Sequence, residues 1–405
     1  MTKIFRYTSL GLMMAVVLAL GAAAVMAQDP CTDADGQTKM GDDVRAQFAD
    51  KTIPGRTKFI ETGKQFLEKY GACDPAKELS EWLKNQLPKS ETALAKAKTD
   101  AERGAILVRF DNAMKAKSWD EVYASGKEIL TKWPEDFRGV ELVLGSIGYD
   151  ELLDRKNAKY SDDTLRYAKQ SLADLEAGKE FKPSFGVAPF KYDTKEHAVA
   201  WMNLTIGTIL QIGQKNKSAA LPYLYKATQG PAGTDIAKIP NPYEFIGSYY
   251  FDELNKIVEQ IQVKAKDQKD TDTPEVAQQK VDEIKKLVAL SNGTAERAMD
   301  AYSRAFTLGQ NPAYKSTMKK NVADAYKLRF AKDEGIDAWI AGAVSKPFVN
   351  PSTPIQPISD PEPVKTDAAA APAVAPATTA KPAATPAPIK PTAPAAKPAP
   401  GTARP

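Results

Sequence analysis

The residues of this 405-residue chain with the widest chemical reach are one histidine, two cysteines and a scatter of carboxylates. His197 stands in Thr194-Lys195-Glu196-His197, at an expected helix start. Any Ser/His/Asp or Cys/His relay would have to use it. A lone imidazole in that position reads instead as an exposed polar residue. Two cysteines, Cys31 and Cys73, are too few for zinc sites built on several Cys and His, for c-type haem or for iron–sulfur ligation. Asp33-Ala34-Asp35-Gly36, with Asp42 and Asp43 nearby, has the flavour of a calcium loop, but the first ligand position of that loop falls on Cys31. Asp162-Asp163 opens a helix, where the positive end of the macrodipole explains it. Gly63-Lys64 and Gly126-Lys127 lie inside expected helices rather than in a phosphate-cradling loop. The expectation is a protein that is not an enzyme, with no catalytic, cofactor or metal residue to assign.

The N-terminus sets the compartment. Lys3 and Arg6 precede an uncharged stretch from Thr8 to Ala27, and Val25-Met26-Ala27 offers small residues at −3 and −1 of a cut before Gln28. This reads as a secretory signal peptide over 1–27, with a retained membrane anchor as the alternative. Pro30, directly before Cys31, argues against a lipoprotein anchor. The expected location is therefore exported: periplasmic, envelope-associated or secreted. An even cysteine count in an oxidising compartment favours a Cys31–Cys73 disulfide over two free thiols. The bridge would tie the polar arm onto the first helices, for roughly 3–4 kcal/mol on the chain-entropy model.

Charge divides the chain further. The leader holds two basic residues, and the stretch from 350 onward holds five basic and three acidic ones. The body between carries 48 of each sign. A body of zero net charge is no electrostatic nucleic-acid binder. From 350 to 405 the chain turns to Pro, Ala, Thr and spaced Lys, with 15 of the 29 prolines. Such a segment cannot bury a core and is expected to be disordered or polyproline-like. It reads either as a tether touching acidic cell-wall polymers or as a passive solubilising tail.

The body reads as successive helices, over 55–70, 75–86, 90–116, 119–132, 137–153, 161–175, 195–214, 218–228, 242–265, 274–290, 294–308, 312–330 and 333–344. Apolar residues recur there at three and four. Pro75, Pro242, Pro274 and Pro312 stand just inside starts, and Gly71, Gly178 and Gly309 stand at stops. Short connections make neighbours antiparallel hairpins.

Spacing within the pairs is more specific. Trp201 is followed by Leu204, Ala220, Leu224 and Ala227. Tyr243 is followed by Ile246, Gly247 and Tyr250, and Ala298, Tyr302 and Ala305 carry second-helix spacing. Trp119, Ile129 and Pro134 fit a further second helix. The stretch 63–70 mirrors 126–133. A bulky residue on one helix filling the gap left by a small one on the next is the logic of a helical stack. This pattern resembles the tetratricopeptide repeat (TPR), a helix–turn–helix unit. The resemblance covers about 104–312 and is degenerate, since the unit of Tyr243 is interrupted by a helical-hairpin insertion near 252–292.

The resemblance implies an all-α chain of antiparallel helix hairpins stacked as a right-handed TPR-like superhelix. Its segments would be the leader, an N-terminal helical part over 28–103, a repeat domain over 104–349 and the tail over 350–405. First helices of such stacks line a groove for peptides. That places Met202, Ile206, Ile209 and Leu210 in one unit, and Glu244, Ser248, Phe251 and Asp252 in the next, on the groove wall. The apolar first set is either a hydrophobic peptide site or is covered by another part of the chain. Tyr243 and Tyr250 read as core knobs, and Phe245, Tyr249 and Phe251 as contact residues. The expected function is an exported non-catalytic adaptor for a protein or peptide partner. The alternative is a structural envelope protein whose tail is a wall-contacting spacer. No nucleic acid and no membrane insertion after signal cleavage are expected.

Overall fold

A computed structural model describes residues 29–181, 192 and 194–360. The leader over 1–27 and the tail beyond 360 lie outside the described residues. The described chain is all-α, with no strand. It divides into two compact units, Met1–Ala105 and Ile106–Pro405.

The first unit holds α1 (Ala34–Ala49), α2 (Ile53–Tyr70) and most of α3 (Lys77–Ala116). Its core is aromatic: Phe59, Phe66 and Tyr70 are buried with Val44 and Leu83, and Phe48 meets both Phe59 and Trp82. Cys31 and Cys73 are joined in a disulfide. Asp33 caps α1 by accepting from the Gly36 amide, and Tyr70 and Lys69 bond its other oxygen at 2.7 and 3.1 Å. The hydroxyl of Tyr70 and then the Lys69 ammonium hold its carboxyl below the ordinary aspartate value. Asp33, the first acid of the stretch with the look of a calcium loop, thus works as a helix cap.

Two expected helices, 75–86 and 90–116, form the single α3, with Pro88 inside it. Proline removes the hydrogen bond to the carbonyl four residues earlier. Pro88 and Lys84 both face solvent, where water can take that carbonyl. The expected helix over 137–153 is broken instead, into α5 (Gly139–Leu144) and α6 (Ile147–Leu153). At the break, a side chain on Gly145 would meet the Ala168 amide nitrogen at 2.8 Å, so α7 packs directly on the backbone there.

The second unit continues through α4 (Trp119–Lys132), α5, α6, α7 (Ser161–Glu176), α8 (Lys195–Thr208) and α9 (Lys217–Thr228). It ends with α10 (Asn241–Lys266), α11 (Pro274–Leu308), α12 (Pro312–Phe330) and α13 (Ile336–Ala343). Prolines at the first turn start α10, α11 and α12, and Thr273 and Asn311 cap the last two. The main core runs from α6 to α13. In it the small residues Ala220, Ala298 and Ala305 have no exposed surface. Gly247 on α10 faces Tyr302 on α11 so closely that an added side chain would lie 2.8 Å from the ring. The charged segments expected as a helical-hairpin insertion are the outward continuation of α10 and α11, which run unbroken from the core into a charged tip.

Candidate functional site

Helix α11 carries two kinds of sequence. Its first half, up to Val288, is charged and exposed. Its second half is rich in Ala, Gly, Ser and Asn and is buried. Residues three and four apart share a helix face. On one such face of the second half lie Ala289, Asn292, Gly293, Arg297, Asp300 and Arg304.

Along that face lies the stretch that follows α13. It runs antiparallel to α11. Arg304 donates to the Ala343 and Lys346 carbonyls at 3.0 and 2.6 Å, and its guanidinium sits over the Phe348 ring. Phe348 packs edge-on to Tyr243 at 5.0 Å between ring centres. Further along, Arg297 and Tyr250 donate to the carbonyls of Asn350 and Pro351, each at 3.4 Å. Then Ile355 packs on the main core. The Ile358 amide donates to the Ala289 carbonyl at 2.8 Å, and the Asn292 side chain donates to the Ile358 carbonyl at 3.0 Å. Arg329 on α12, its side chain buried, holds both Asp360 oxygens at 2.8 and 3.1 Å and also bonds Glu296.

Gly293 makes the approach possible. A side chain there would lie 2.2 Å from the Gln356 carbonyl oxygen and 3.0 Å from Ile355. The groove therefore holds a proline-rich segment, turned over 350–353, mainly through the segment's backbone, with Ile355 and Phe348 as apolar anchors and Arg329 closing on a carboxylate. Burial pushes the Asp300 carboxyl up, and the Arg304 guanidinium pulls it the other way. Burial likewise raises the Tyr250 hydroxyl.

The expected boundary of the tail at 350 is corrected by these contacts: residues 350–360 are seated on the body. The expected groove wall is corrected as well. Met202, Ile206 and Ile209 have no exposed surface, and Phe245 and Phe251 are buried with them in the main core. Of the two readings of that apolar set, cover by other parts of the chain is the one found. A full apolar face between α7, α9 and α10 leaves none of these side chains for a partner. Of Met202, Ile206, Ile209, Phe245, Tyr249 and Phe251, Tyr249 alone keeps partial exposure, edge-on to Tyr250. Glu244 accepts from the Tyr314 hydroxyl at 2.9 Å, and Lys217 bonds Ser248 and Asp252, so these polar positions tie helices together. Tyr250 is buried in the core and its hydroxyl also reaches the seated strand.

Two polar clusters lie elsewhere in the second unit. His197, expected exposed, is 4% exposed. Its Nε2 lies 2.7 Å from Asp235, to which the Trp201 indole also donates at 3.2 Å, and Tyr192 stands edge-on to the imidazole. Burial raises the Asp235 carboxyl, but the bonds from His197 and Trp201 outweigh it and leave it below the ordinary value. The second cluster surrounds Arg138, which bonds Asp174 and Glu135 and donates to the Glu180 carbonyl. Lys179 also bonds Asp174. A cleft of about 430 Å³ opens beside them, lined by Glu135, Asp136, Arg138, Lys179 and Glu180. Glu141 lies nearby with one oxygen unpartnered, and burial and then Asp174 push it up to about 7. Both clusters tie separate segments of the unit together through polar side chains.

Among the described residues no group of three metal-ligating side chains converges, and no helix is long and apolar enough to cross a membrane. No family model, no curated protein and no solved structure matches the chain.

Proposed function

We propose that this chain is an exported, non-catalytic helical scaffold that holds a protein or peptide partner in extended conformation against α10–α11, in a stack of TPR-like hairpins. The observation that carries the reading is the α11 face itself. It grips a proline-rich strand by the strand's carbonyls and one amide, contacts that any extended chain can offer. The knob-and-gap packing of Tyr302 on Gly247 supports hairpin stacking. The leader sequence and the disulfide support export. In this reading the seated strand is the resident occupant, and a partner takes its place.

The test uses the full chain with Ile355→Asp and Ile358→Asp, which unseat the strand. A labelled peptide of residues 348–361 is titrated into it by fluorescence anisotropy. Saturable binding that is abolished by adding Gly293→Val is expected. Absence of binding to a chain of unchanged helicity would remove the groove as a partner site.

The structural-envelope reading draws on one observation: the basic, proline-rich sequence after Asp360 leaves from a point fixed by Arg329. Binding of the isolated tail to purified wall polymers at low salt, lost at high salt, is its expected signature.

A further inference from the structure

The polar contacts that seat residues 350–360 differ in what they ask of the segment. Arg297 and Tyr250 donate to the carbonyls of Asn350 and Pro351, and Ala289 and Asn292 take the backbone of Ile358. Carbonyls are common to every residue and amides to all but proline, so these contacts hold a chain without choosing its sequence. Arg329 is different. Among the described residues, its bond to Asp360 is the hydrogen bond from α10–α12 that lands on a side chain of this stretch, with Nη1 at 2.8 and 3.1 Å from the two oxygens.

Arg329 is set in place by residues outside the segment. It stands in the last turn of α12, its Nε donates to Glu296 on α11 at 3.2 Å, and its guanidinium lies 4.6 Å from the centre of the Phe330 ring. A planar guanidinium fixed at Nε and over a ring face keeps its terminal N–H groups aimed one way. Its side chain is 6% exposed, whereas that of Asp360 is 59% exposed. The cation is thus built in, and the acid reaches it from the solvent side with no pocket closing on the rest of its side chain. A neutral residue in the place of Asp360 would leave a desolvated cation with the Glu296 bond alone. We infer that Arg329 is the residue by which the α11 groove chooses its occupant. The partner it selects is an acidic segment, with an aspartate or glutamate two residues after the residue whose amide pairs with Ala289.

Charge along the face points the same way. Arg297, Arg304 and Arg329 stand there against Glu296 and Asp300, and Asp300 is taken by Arg304 as Glu296 is by Arg329. Three bases against two acids leave one positive charge, which a single carboxylate neutralises. In residues 344–360 that carboxylate is Asp360, the one acid of the stretch. A displacing partner that lacked it would have to replace an ion pair with backbone contacts alone.

The inference rests on the groove reading above, and the experiment separates the two. A full chain with Ile355→Asn, Ile358→Asn and Asp360→Asn has its own segment unseated and leaves residues 344–360 without an acid. The 348–361 peptide and its Asp360→Asn form, both amidated at the C-terminus, are titrated into it by fluorescence anisotropy, and into the same chain carrying Arg329→Gln as well. The acidic peptide should bind about fivefold more tightly than the Asn form, less than for a fully buried pair because Asp360 is exposed. High salt should narrow that gap, an Asp360→Glu peptide should keep most of it, and Arg329→Gln should abolish it. If the two peptides bind the parent chain equally, or the gap survives Arg329→Gln, the selecting role of Arg329 is refuted and the groove stands. If neither peptide binds while circular dichroism is unchanged, the groove reading falls and this one with it.

Discussion

The two halves of the α10–α11 hairpin are built from the same helices and behave as different materials. At its base, Gly247 admits the ring of Tyr302, Ala298 and Ala305 are wholly buried, and a strand lies across Gly293. At its tip, Lys264 meets Glu283, Lys280 meets Asp267 and Asp272, and Val263 is 68% exposed. Carboxylates report the contrast. Burial raises Glu244 and Asp300 at the base, whereas hydrogen bonds from Lys280 and Lys264 lower Asp272 and Glu283 at the tip. A helix that continues unbroken from one setting into the other shows that helicity and the capacity to seat a neighbouring segment of chain are separate properties. The groove exists only where the helix has tertiary neighbours and small side chains.

The largest expected effect tests the packing of the base. Tyr302→Ala should destabilise the second unit by about 3–5 kcal/mol, through lost burial and the cavity left facing Gly247. Urea denaturation measures it, and a loss below about 1 kcal/mol would mean the base is no better packed than the tip. Gly293→Val comes next, at about 1–3 kcal/mol, because the new side chain collides with the Gln356 carbonyl and the strand must leave. Hydrogen exchange gives the sharper reading. The Ile358 amide, bonded to Ala289, should lose its protection while the amides of α12 keep theirs.

The carboxylates set the next contrast, in pH. A carboxyl raised on folding binds its proton more tightly in the native state. Stability then falls as pH rises from the unfolded value through the folded one. Glu141, raised to about 7, gives the scale: between pH ~4.5 and ~7 its ionisation should cost about 2 kcal/mol after allowance for partial solvent screening. Glu141→Gln should recover that at pH 8 and change little at pH 4. Glu244→Gln at the base should act in the same direction, since its amide oxygen still accepts from Tyr314. At the tip the sign reverses. Asp272 and Glu283 are lowered, so what they contribute is present above the ordinary carboxylate range and lost as pH falls below it. Melting curves of the two sets of variants at pH 4 and pH 8 should therefore diverge in opposite directions.

The helices themselves were legible because apolar spacing and proline starts are local signals, as the first-turn prolines of α10, α11 and α12 bear out. The disulfide was legible from an even cysteine count. The groove wall was not, because a repeat register assigns a side to each residue without knowing what else packs there. Met202, Ile206 and Ile209 meet α7, α9 and α10 together, a fact of long-range packing. His197 was misjudged for the same reason, since Asp235 lies 38 residues away. One local signal for the groove was available. Gly293 sits inside a helical run, where a glycine costs stability relative to alanine and so points to a packing reason. Ile355 and Ile358 also set 350–360 apart from the Ala/Lys tail that follows.

The smallest expected effect is also the one that most sharpens the division. Val263→Ser, Val276→Ser and Lys264→Ala at the tip should each change stability by no more than about 0.5 kcal/mol, as exposed positions do. The ion pairs there are between exposed groups, whose Coulomb gain is largely offset by hydration and side-chain entropy. The three changes combined should add, since no shared core couples them. They should also leave the affinity of the groove for the 348–361 peptide untouched, because none of these side chains lies on the face of Asn292 and Gly293. A tip variant that weakened peptide binding without loss of helicity would show that the exposed half of α11 is part of the site. The boundary at Ala289 would then have to be redrawn outward.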